Sequence, residues 1–523
     1  VRAIEDSYNV VDRSLVSRRT SQENLAVATA SNPVETSPIA HPDRLYIGGA
    51  WIEPSSDARI DVIAPATEER FVSVVEAQEA DIHRAVQAAR QAFDHGPWPR
   101  LSPRQRAGYL RAMGKKLAER AGDVSLIWPQ EMGILHSIAR AFAGGMGGVF
   151  DYYAGLADTF AFEERHQPTG GGVCGLLTRE PVGVVGAIIP WNGPIIMIAY
   201  KLAPALLAGC TVILKASPEA PGAAYVVAEI AEAVGLPPGV VNVVTAHREV
   251  SEALVRHPGV DKISFTGSSA AGKRIASLCG ERIARCTLEL GGKSAAIILD
   301  DYDIEQAAAA LAGPACALTG QICSSLTRIV VSRHRHDDLV AALGGAFDSV
   351  RVGDPFDPES QMGPIAMRRQ LERVERLIAK GIEEGATLAA GGRRPAHLPR
   401  GFYIEPTVFG NVDNHSTLAR EEIFGPVLSV IPADNEAHAI EIANDTVYGL
   451  NNSVFTNDAD RAYAVARQLR SGTVGHNVFR SDFGIAFGGF KQSGLGREGG
   501  REGLLPFLES KTIILEGIPT HIE

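Results

Sequence analysis

The stretch Val182–Ala216, "VGVVGAIIPWNGPIIMIAYKLAPALLAGCTVILKA", decides the fold class. "VGVVGAIIP" is short, apolar and stopped by proline, which predicts a buried strand. "PIIMIAYKLAPALLAG" is too long for a strand and ends in glycine, which predicts a helix. "CTVILKA" predicts a second strand. Strand, helix and strand in close succession make a βαβ unit with parallel strands.

The same stretch holds the most membrane-like segment. Pro181–Tyr200 runs without a charge and is long enough to cross a bilayer. Pro190 and Pro194 bracket a Trp-Asn-Gly turn at its middle. A turn there would leave backbone groups without partners in lipid, so we expect no membrane span.

The alternation continues downstream. "APGAAYVVAEIAEAVGLPPG" predicts a helix, "VVNVVTA" a strand, "EVSEALVRHPG" a helix and "VDKISFTG" a strand. Such a run predicts a parallel sheet with helices on both faces. A second block alternates from "SAAIILDD" through "LTRIVVSR" and "QLERVERLIAKGIEEGA" to "NNSVFTN". Two α/β domains are the economical reading, and 523 residues leave room for both. Upstream, "RLYIGGAWIEP" predicts a hairpin, and residues 80–160 carry a helical pattern. The residues before Arg44 are polar, weakly patterned and without the apolar core of a secretory signal, so a flexible extension is expected.

Composition narrows the function. A net charge of -11 argues against nonspecific nucleic-acid binding. The six cysteines form no C-x2-C pair and no histidines cluster at ligand spacing, so no metal is expected. Free thiols suit a reducing compartment, and the cytoplasm is the expected location.

Several short stretches carry chemistry. "FTGSSAAGKR", Phe265–Arg274, nearly matches an ATP loop, but Arg274 stands where a Ser or Thr should hold Mg²⁺. Backbone N–H groups at a helix start attract phosphate regardless; a helix merely capped by Ser268 is the competing reading. "GLGREG", Gly494–Gly499, matches the dinucleotide fingerprint in letters, yet no apolar strand feeds it, so it reads as a surface turn. Cys323 in "TGQICSSLTR" follows a helix break, where helix-start N–H groups would favour a thiolate. Glu289 in "LELGGKSAAI" ends an apolar strand, which should raise its pKa and suit a general base. Asn192 in "PWNGP" offers an amide to an oxyanion or caps the next helix. Taken singly, a buried thiol, a salt-bridged glutamate and a capping asparagine remain open readings.

Nine motifs, in order, change the weighing. "EPVGVVGAIIPWNGPI", "KLAPALLAGCTVILKASPEAP", "GLPPGVVNVV", "FTGS", "LELGGKS", "GQICSS", "VGDPFDPESQMGPI", "EEIFGPV" and "FGGFKQSGLGRE" together resemble the NAD(P)-dependent aldehyde dehydrogenase superfamily from about Arg44 to Thr512. The resemblance implies an α/β fold. A Rossmann-type parallel-sheet cofactor domain would span 44–160 and 182–290, and an α/β catalytic domain 291–495. Segments 161–181 and 496–523 would form a small oligomerisation sheet, behind an extension of residues 1–43. It implies oxidation of an aldehyde to a carboxylic acid, with the subunit in a homodimer or homotetramer.

The resemblance also implies roles. Cys323 matches the nucleophile, forming a thiohemiacetal and then a thioester. Asn192 and the Cys323 N–H match the oxyanion hole, Glu289 the base for water, and Lys201 a proton-relay lysine. Ile188, Pro190, Trp191, Lys215, Gly239, Gly267, Ser268, Leu290, Glu422 and Phe424 match cofactor positions, with NAD the expected cofactor. Pro218 stands where many NAD-using members carry Glu, and Glu219 follows it, which leaves NADP open. Gly193 replaces a bulky residue of many small-aldehyde members. With Met197, Tyr200, Ile322, Phe479, Phe483 and Phe487 around it, a pocket for larger apolar aldehydes is expected. Three alternatives remain: a CoA-acylating relative, which Glu289 argues against; a non-catalytic relative; and a P-loop nucleotidase, which Arg274 argues against.

Overall fold

The computed structural model describes residues 37–520. The βαβ stretch forms as read. Val184–Ile188 and Thr211–Ala216 are adjacent parallel strands, joined by the helix Pro194–Ala208. Every residue of that helix except Ile196 is buried. A helix apolar on all sides needs a surrounding core, which explains the uncharged run. Among the described residues no helix is long and apolar enough to cross a membrane.

Five parallel strands make the middle of an eight-stranded sheet. In spatial order they are Arg285–Glu289, Lys262–Thr266, Val184–Ile188, Thr211–Ala216 and Val241–Thr245. Chain order reverses direction between Val184–Ile188 and Lys262–Thr266. At such a switch point the loops leave the carboxyl ends in opposite directions and open a crevice. The hairpin Leu45–Ile47 and Ala50–Ile52 extends one edge, with Gly48 and Gly49 supplying positive φ at the turn.

A second sheet has seven strands, parallel except for the outer strand Thr387–Ala390. Each of the two large sheets is packed by apolar clusters. Four helices from Glu79 to Thr159 pack ahead of the first βαβ unit. A three-stranded antiparallel sheet joins Glu163–His166, Cys174–Pro181 and Leu508–Leu515.

Of the extension expected over 1–43, residues 1–36 lie outside the described residues, as do 521–523 at the other end. Ile39 is buried, and the Ala40 N–H donates to Glu229 Oε1 at 3.0 Å. The "GLGREG" run needs correcting: it is no surface turn. Gly494–Leu495 adds antiparallel to Leu288 and Glu289, and Glu498 and Gly499 are buried. Its glycines let this return strand lie on the sheet edge, since a Cβ at Gly494 would meet the Leu288 carbonyl oxygen at 2.3 Å.

Candidate active site

The crevice is occupied by a cavity of about 570 Å³ whose walls come from both large sheets. Three loops from the first sheet enter it: Pro190–Gly193 after Val184–Ile188, Gly267–Ser268 after Lys262–Thr266, and Glu289–Gly291 ending Arg285–Glu289. From the second sheet come the turn carrying Cys323 and the loop carrying Glu422 and Phe424.

Two glycines allow this meeting. A Cβ at Gly292 would lie 2.2 Å from the Cys323 carbonyl oxygen, and one at Gly291 would lie 2.3 Å from Glu422 Oε2. No real Cβ fits at such distances, so "LGGK" brings the cysteine turn and the Glu422 loop onto the end of the strand.

Cys323 does not begin a helix, contrary to the sequence reading. It lies in a turn closed by the Ser325 N–H to the Ile322 carbonyl at 3.2 Å, directly before the strand Leu326–Ser332. Leu318, Thr319 and Gly320 before it are all left-handed, with φ of 47°, 55° and 70°. Such strain persists only where the surroundings hold it. Here the Thr319 hydroxyl donates to the Gly363 and Pro364 carbonyls, each at 3.1 Å. Burial pushes the Cys323 thiol up to about 12, and the Glu422 and Glu289 carboxyls add to the rise; the Ser324 and Cys323 N–H groups oppose it.

Asn192 is not a cap, because the helix starting at Pro194 has Gly193 at its N-cap and no side-chain cap bond. Its Nδ2 donates to the Gln321 carbonyl at 2.9 Å, and its own carbonyl accepts from Trp128 Nε1 at 3.2 Å. Gln321 thus holds the side-chain amide and Trp128 the backbone of Asn192, with one Nδ2 hydrogen left for the cavity. Glu289 is buried with neither carboxyl oxygen hydrogen-bonded. Burial raises its pKa well above the usual carboxylate range. Glu498 adds to the rise, while Lys201 and Arg497 oppose it.

Lys201 lies behind the cavity wall rather than in it. It is fully buried in an ion pair with Glu498, and its Nζ reaches Ser264 Oγ at 3.4 Å. Glu498 is a site residue that sequence reasoning missed, because nothing in a glycine-rich run marks it. Gln321 was missed too. Its carbonyl holds Asn192, its Oε1 accepts from the Ala366 N–H at 3.0 Å, and its Nε2 donates to the Leu318 carbonyl at 3.0 Å.

The other expected residues separate into groups. Pro190, Trp191, Gly267, Ser268, Leu290, Glu422 and Phe424 line the main cavity. Trp191 and Phe424 meet edge to face at 5.4 Å. Burial lifts Glu422 to about 7 although the Gly292 N–H donates to it at 3.0 Å. Ser268 both lines the cavity and caps the helix Ser269–Glu281, accepting from the Ala271 N–H at 3.3 Å. Gln370, Arg373 and Tyr448 complete this side; they sit within ordinary helix and loop sequence that carries no signal.

A neighbouring cavity of about 770 Å³ lies on the other side of the same helix. Ile188 and Lys215 line it, with Phe265, Ile275 and Leu278 as apolar walls. Glu219 lines it too. Burial pushes that carboxyl up, but hydrogen bonds from Ser217 and Arg369 hold it below the usual range. Gly239 is not brought here. It precedes the strand Val241–Thr245, at the end of the sheet away from both cavities, and its φ of 81° serves a turn.

Gly193, Met197, Ile322 and Phe487 line the main cavity. A Cβ at Gly193 would meet only Ile196 Cδ1, at 3.8 Å, so the space a larger side chain would take is open. Tyr200 lines a further chamber of about 310 Å³, which shares Phe142, Ile196 and Phe483 with the first. Tyr200, Phe483 and Phe487 stack in series, with ring centroids 4.4 and 4.1 Å apart. The wall near Gly193 is mainly aromatic and apolar, while Arg480, Ser481 and Asp482 line the further chamber. Among the described residues no group of three or more His, Cys, Asp or Glu is placed to hold a metal ion.

Comparison with known proteins places this arrangement. The model of the aldehyde dehydrogenase family matches residues 51–513. The chain is 42% identical over 478 residues to the geranial dehydrogenase of Castellaniella defragrans, covering 90% of this chain and 98% of that protein. An aldehyde dehydrogenase of Mycobacterium tuberculosis, solved with NAD+, is 45% identical at a TM-score of 0.88, covering 92% of this chain and 99% of that one. A Cys-to-Ala mutant of aldehyde dehydrogenase C from Pseudomonas syringae, solved with NAD+ and octanal, is 39% identical at a TM-score of 0.88, covering 91% and 98%.

Proposed function

The chain belongs to the aldehyde dehydrogenase family, and from that premise we propose that it oxidises medium-length or larger apolar aldehydes to carboxylic acids with NAD, through a covalent adduct on Cys323. The convergence of Cys323, Asn192 and Glu289 on one cavity at the switch point carries this reading.

The residues present fit NAD. For the adenine end there is an apolar slot between Ile188, Phe265, Ile275 and Leu278, with Lys215 and the ionised Glu219 at its polar edge. Those two would hold the adenosine ribose, and Glu219 would repel a 2′-phosphate. The helix start at Ser269 would face the pyrophosphate. Glu422 and Phe424 would hold the second ribose, with Leu290 and Trp191 beside the ring.

Cys323 gives up its thiol proton to water as Sγ attacks the aldehyde carbon, and the free Nδ2 hydrogen of Asn192 with the Cys323 N–H receives the developing oxyanion. Oxidation of that adduct to a thioester is the chemistry NAD supplies when bound. Glu289 then takes a proton from the water that attacks the thioester, and the sulfur leaves. A buried base with a raised pKa suits that step near neutral pH. The Lys201–Glu498 pair behind Glu289 sets its charge balance.

The open space at Gly193 and the aromatic stack support an apolar substrate. One methylene in such a pocket is worth about 1–3 kcal/mol. The test compares kcat/KM for acetaldehyde, octanal and benzaldehyde with NAD. Acetaldehyde ahead of both larger aldehydes would overturn the substrate class.

The eight-stranded sheet with its helices we assign to the cofactor and the seven-stranded sheet to catalysis. The three-stranded sheet leaves Leu508–Leu515 and Glu163–His166 as free edges within the subunit. A free edge is a natural pairing site, so we assign it to a homodimer or homotetramer, checked by light scattering. Six free thiols suit the cytoplasm.

A further inference from the structure

Cys279 lies in the last turn of the helix Ser269–Glu281, and Cys286 is the second residue of the strand Arg285–Glu289. The chain between them closes tightly. The Ala284 N–H donates to the Cys279 carbonyl at 2.9 Å, and the Ile283 N–H to the Gly280 carbonyl at 3.3 Å. This pair of bonds ends many helices and ordinarily puts glycine at the left-handed position. Here that position is Ile283, with φ of 57° and 80% of its side-chain-bearing surface exposed. A β-branched residue in that region is strained. The strained closure folds the start of the strand back against the last helical turn.

The two thiols become neighbours as a result, each acting on the other's ionisation. Both pack in the apolar cluster that contains Leu278 and Leu288. Cys279 is buried, and Cys286 is half-buried with a face toward solvent. The neighbouring Cys279 lowers the Cys286 thiol, and Cys286 together with burial raises Cys279. A more acidic, reachable thiol beside a second thiol is the arrangement of an oxidisable pair.

We propose that Cys279 and Cys286 form an oxidation site, at which a hydroperoxide converts the two thiols into an intramolecular disulfide. The Cys286 thiolate attacks one peroxide oxygen, breaking the O–O bond and giving a sulfenic acid and hydroxide (an alkoxide from an organic peroxide). The Cys279 thiol then attacks that sulfur. The S–S bond forms, the S–O bond breaks, and the Cys279 proton leaves with the oxygen as water. The two sulfurs lose two electrons and the peroxide gains them.

Two neighbouring sulfurs must close to about 2.05 Å when bonded. That movement draws the helix toward the strand. The helix supplies Ile275 and Leu278 to the second cavity and Ser269 and Ala270 to the first, and the strand ends at Glu289. Oxidation therefore acts on the cavity wall and weakens NAD binding. This consequence rests on the NAD reading above; the cross-link does not.

The test uses the full chain carrying Cys323→Ala, so that the nucleophile cannot consume oxidant. It is treated with stoichiometric hydrogen peroxide, alkylated and mapped by peptide mass spectrometry. The expected result is a linked pair of peptides, two hydrogens lighter than their sum and released by dithiothreitol. Cys286→Ser should leave Cys279 alkylated as a free thiol. Overoxidised Cys286 without a link, or two free thiols after treatment, overturns the site. NAD titration of the same protein should show Kd raised by about fivefold or more on oxidation, within the range of coupled sites, and restored by the reductant. An unchanged Kd in fully linked protein overturns the coupling to the cavity. Absence of NAD binding by reduced protein would instead count against the cofactor reading, leaving the cross-link result intact.

Discussion

At the carboxyl ends of the eight-stranded sheet, Gly292 is so crowded that a Cβ would lie 2.2 Å from the Cys323 carbonyl oxygen. At the amino ends, Gly239 is crowded almost as much, with a Cβ 2.4 Å from the Ala88 carbonyl oxygen. Both are glycines because a backbone passes through the space of a side chain. Only the first packs against the Cys323 turn at the cavity. All five central strands are parallel, so their loops gather chemistry at one end and leave turns at the other. Strand direction, rather than residue type, separates a functional glycine from a structural one.

The hardest test of the carboxyl end removes its nucleophile. Cys323→Ala should lower kcat by roughly 10⁴-fold or more, read as reduced cofactor formed in the steady state, with the thermal unfolding curve unmoved. Next, Glu289→Gln should cost about 10²–10⁴-fold in turnover. A burst of reduced cofactor should survive, because only release of the acyl group is blocked; steady turnover at the wild-type rate would sink the assignment.

The glycine pair sharpens the contrast directly. Gly292→Ala must displace the Cys323 turn, and a shift of that size should cost on the order of 10²-fold in kcat. Gly239→Ala should instead destabilise the fold by about 1–3 kcal/mol through its strained φ. Its kcat and its KM for NAD should match wild type in the folded fraction. A rise in KM for NAD with unchanged stability would break the distinction between the two ends.

The smallest effect is a displacement of pH dependence. Glu289 works as a base only once deprotonated, so deacylation should rise with pH through its elevated pKa. Glu498 raises that pKa and Lys201 lowers it. Glu498→Gln should therefore move the rising limb to lower pH, and Lys201→Met should move it to higher pH. Shifts in the reverse directions would show that the pair acts on another group.

Much of this was legible in the chain. The βαβ pattern around Val182–Ala216 yields a parallel sheet because strand and helix periods differ and the connection is short. Asn192, Glu289 and Cys323 stood out because each is a polar group at a break in an apolar run, but only the nine motifs together gave them roles. Glu498 was not: its importance depends on a return strand pairing with Leu288 and Glu289, a contact across some two hundred residues of chain. The turn at Cys323 also escaped, since left-handed Leu318 and Thr319 are held by the Gly363 and Pro364 carbonyls, which local sequence does not announce. Gly239 was misplaced because a motif position says nothing about which end of a strand it occupies.

By itself, then, the order of apolar runs, turns and glycines determined an α/β fold with parallel strands, and the nine motifs together named the three residues expected to do chemistry. Local periodicity and backbone sterics act within a few residues, so they can be read along the chain. Tertiary structure alone decided the protonation balance behind Glu289, the fixing of Asn192 by Gln321 and the meeting of Cys279 with Cys286. Each depends on burial or on a partner from another element, and desolvation exists only once the chain has closed around the group.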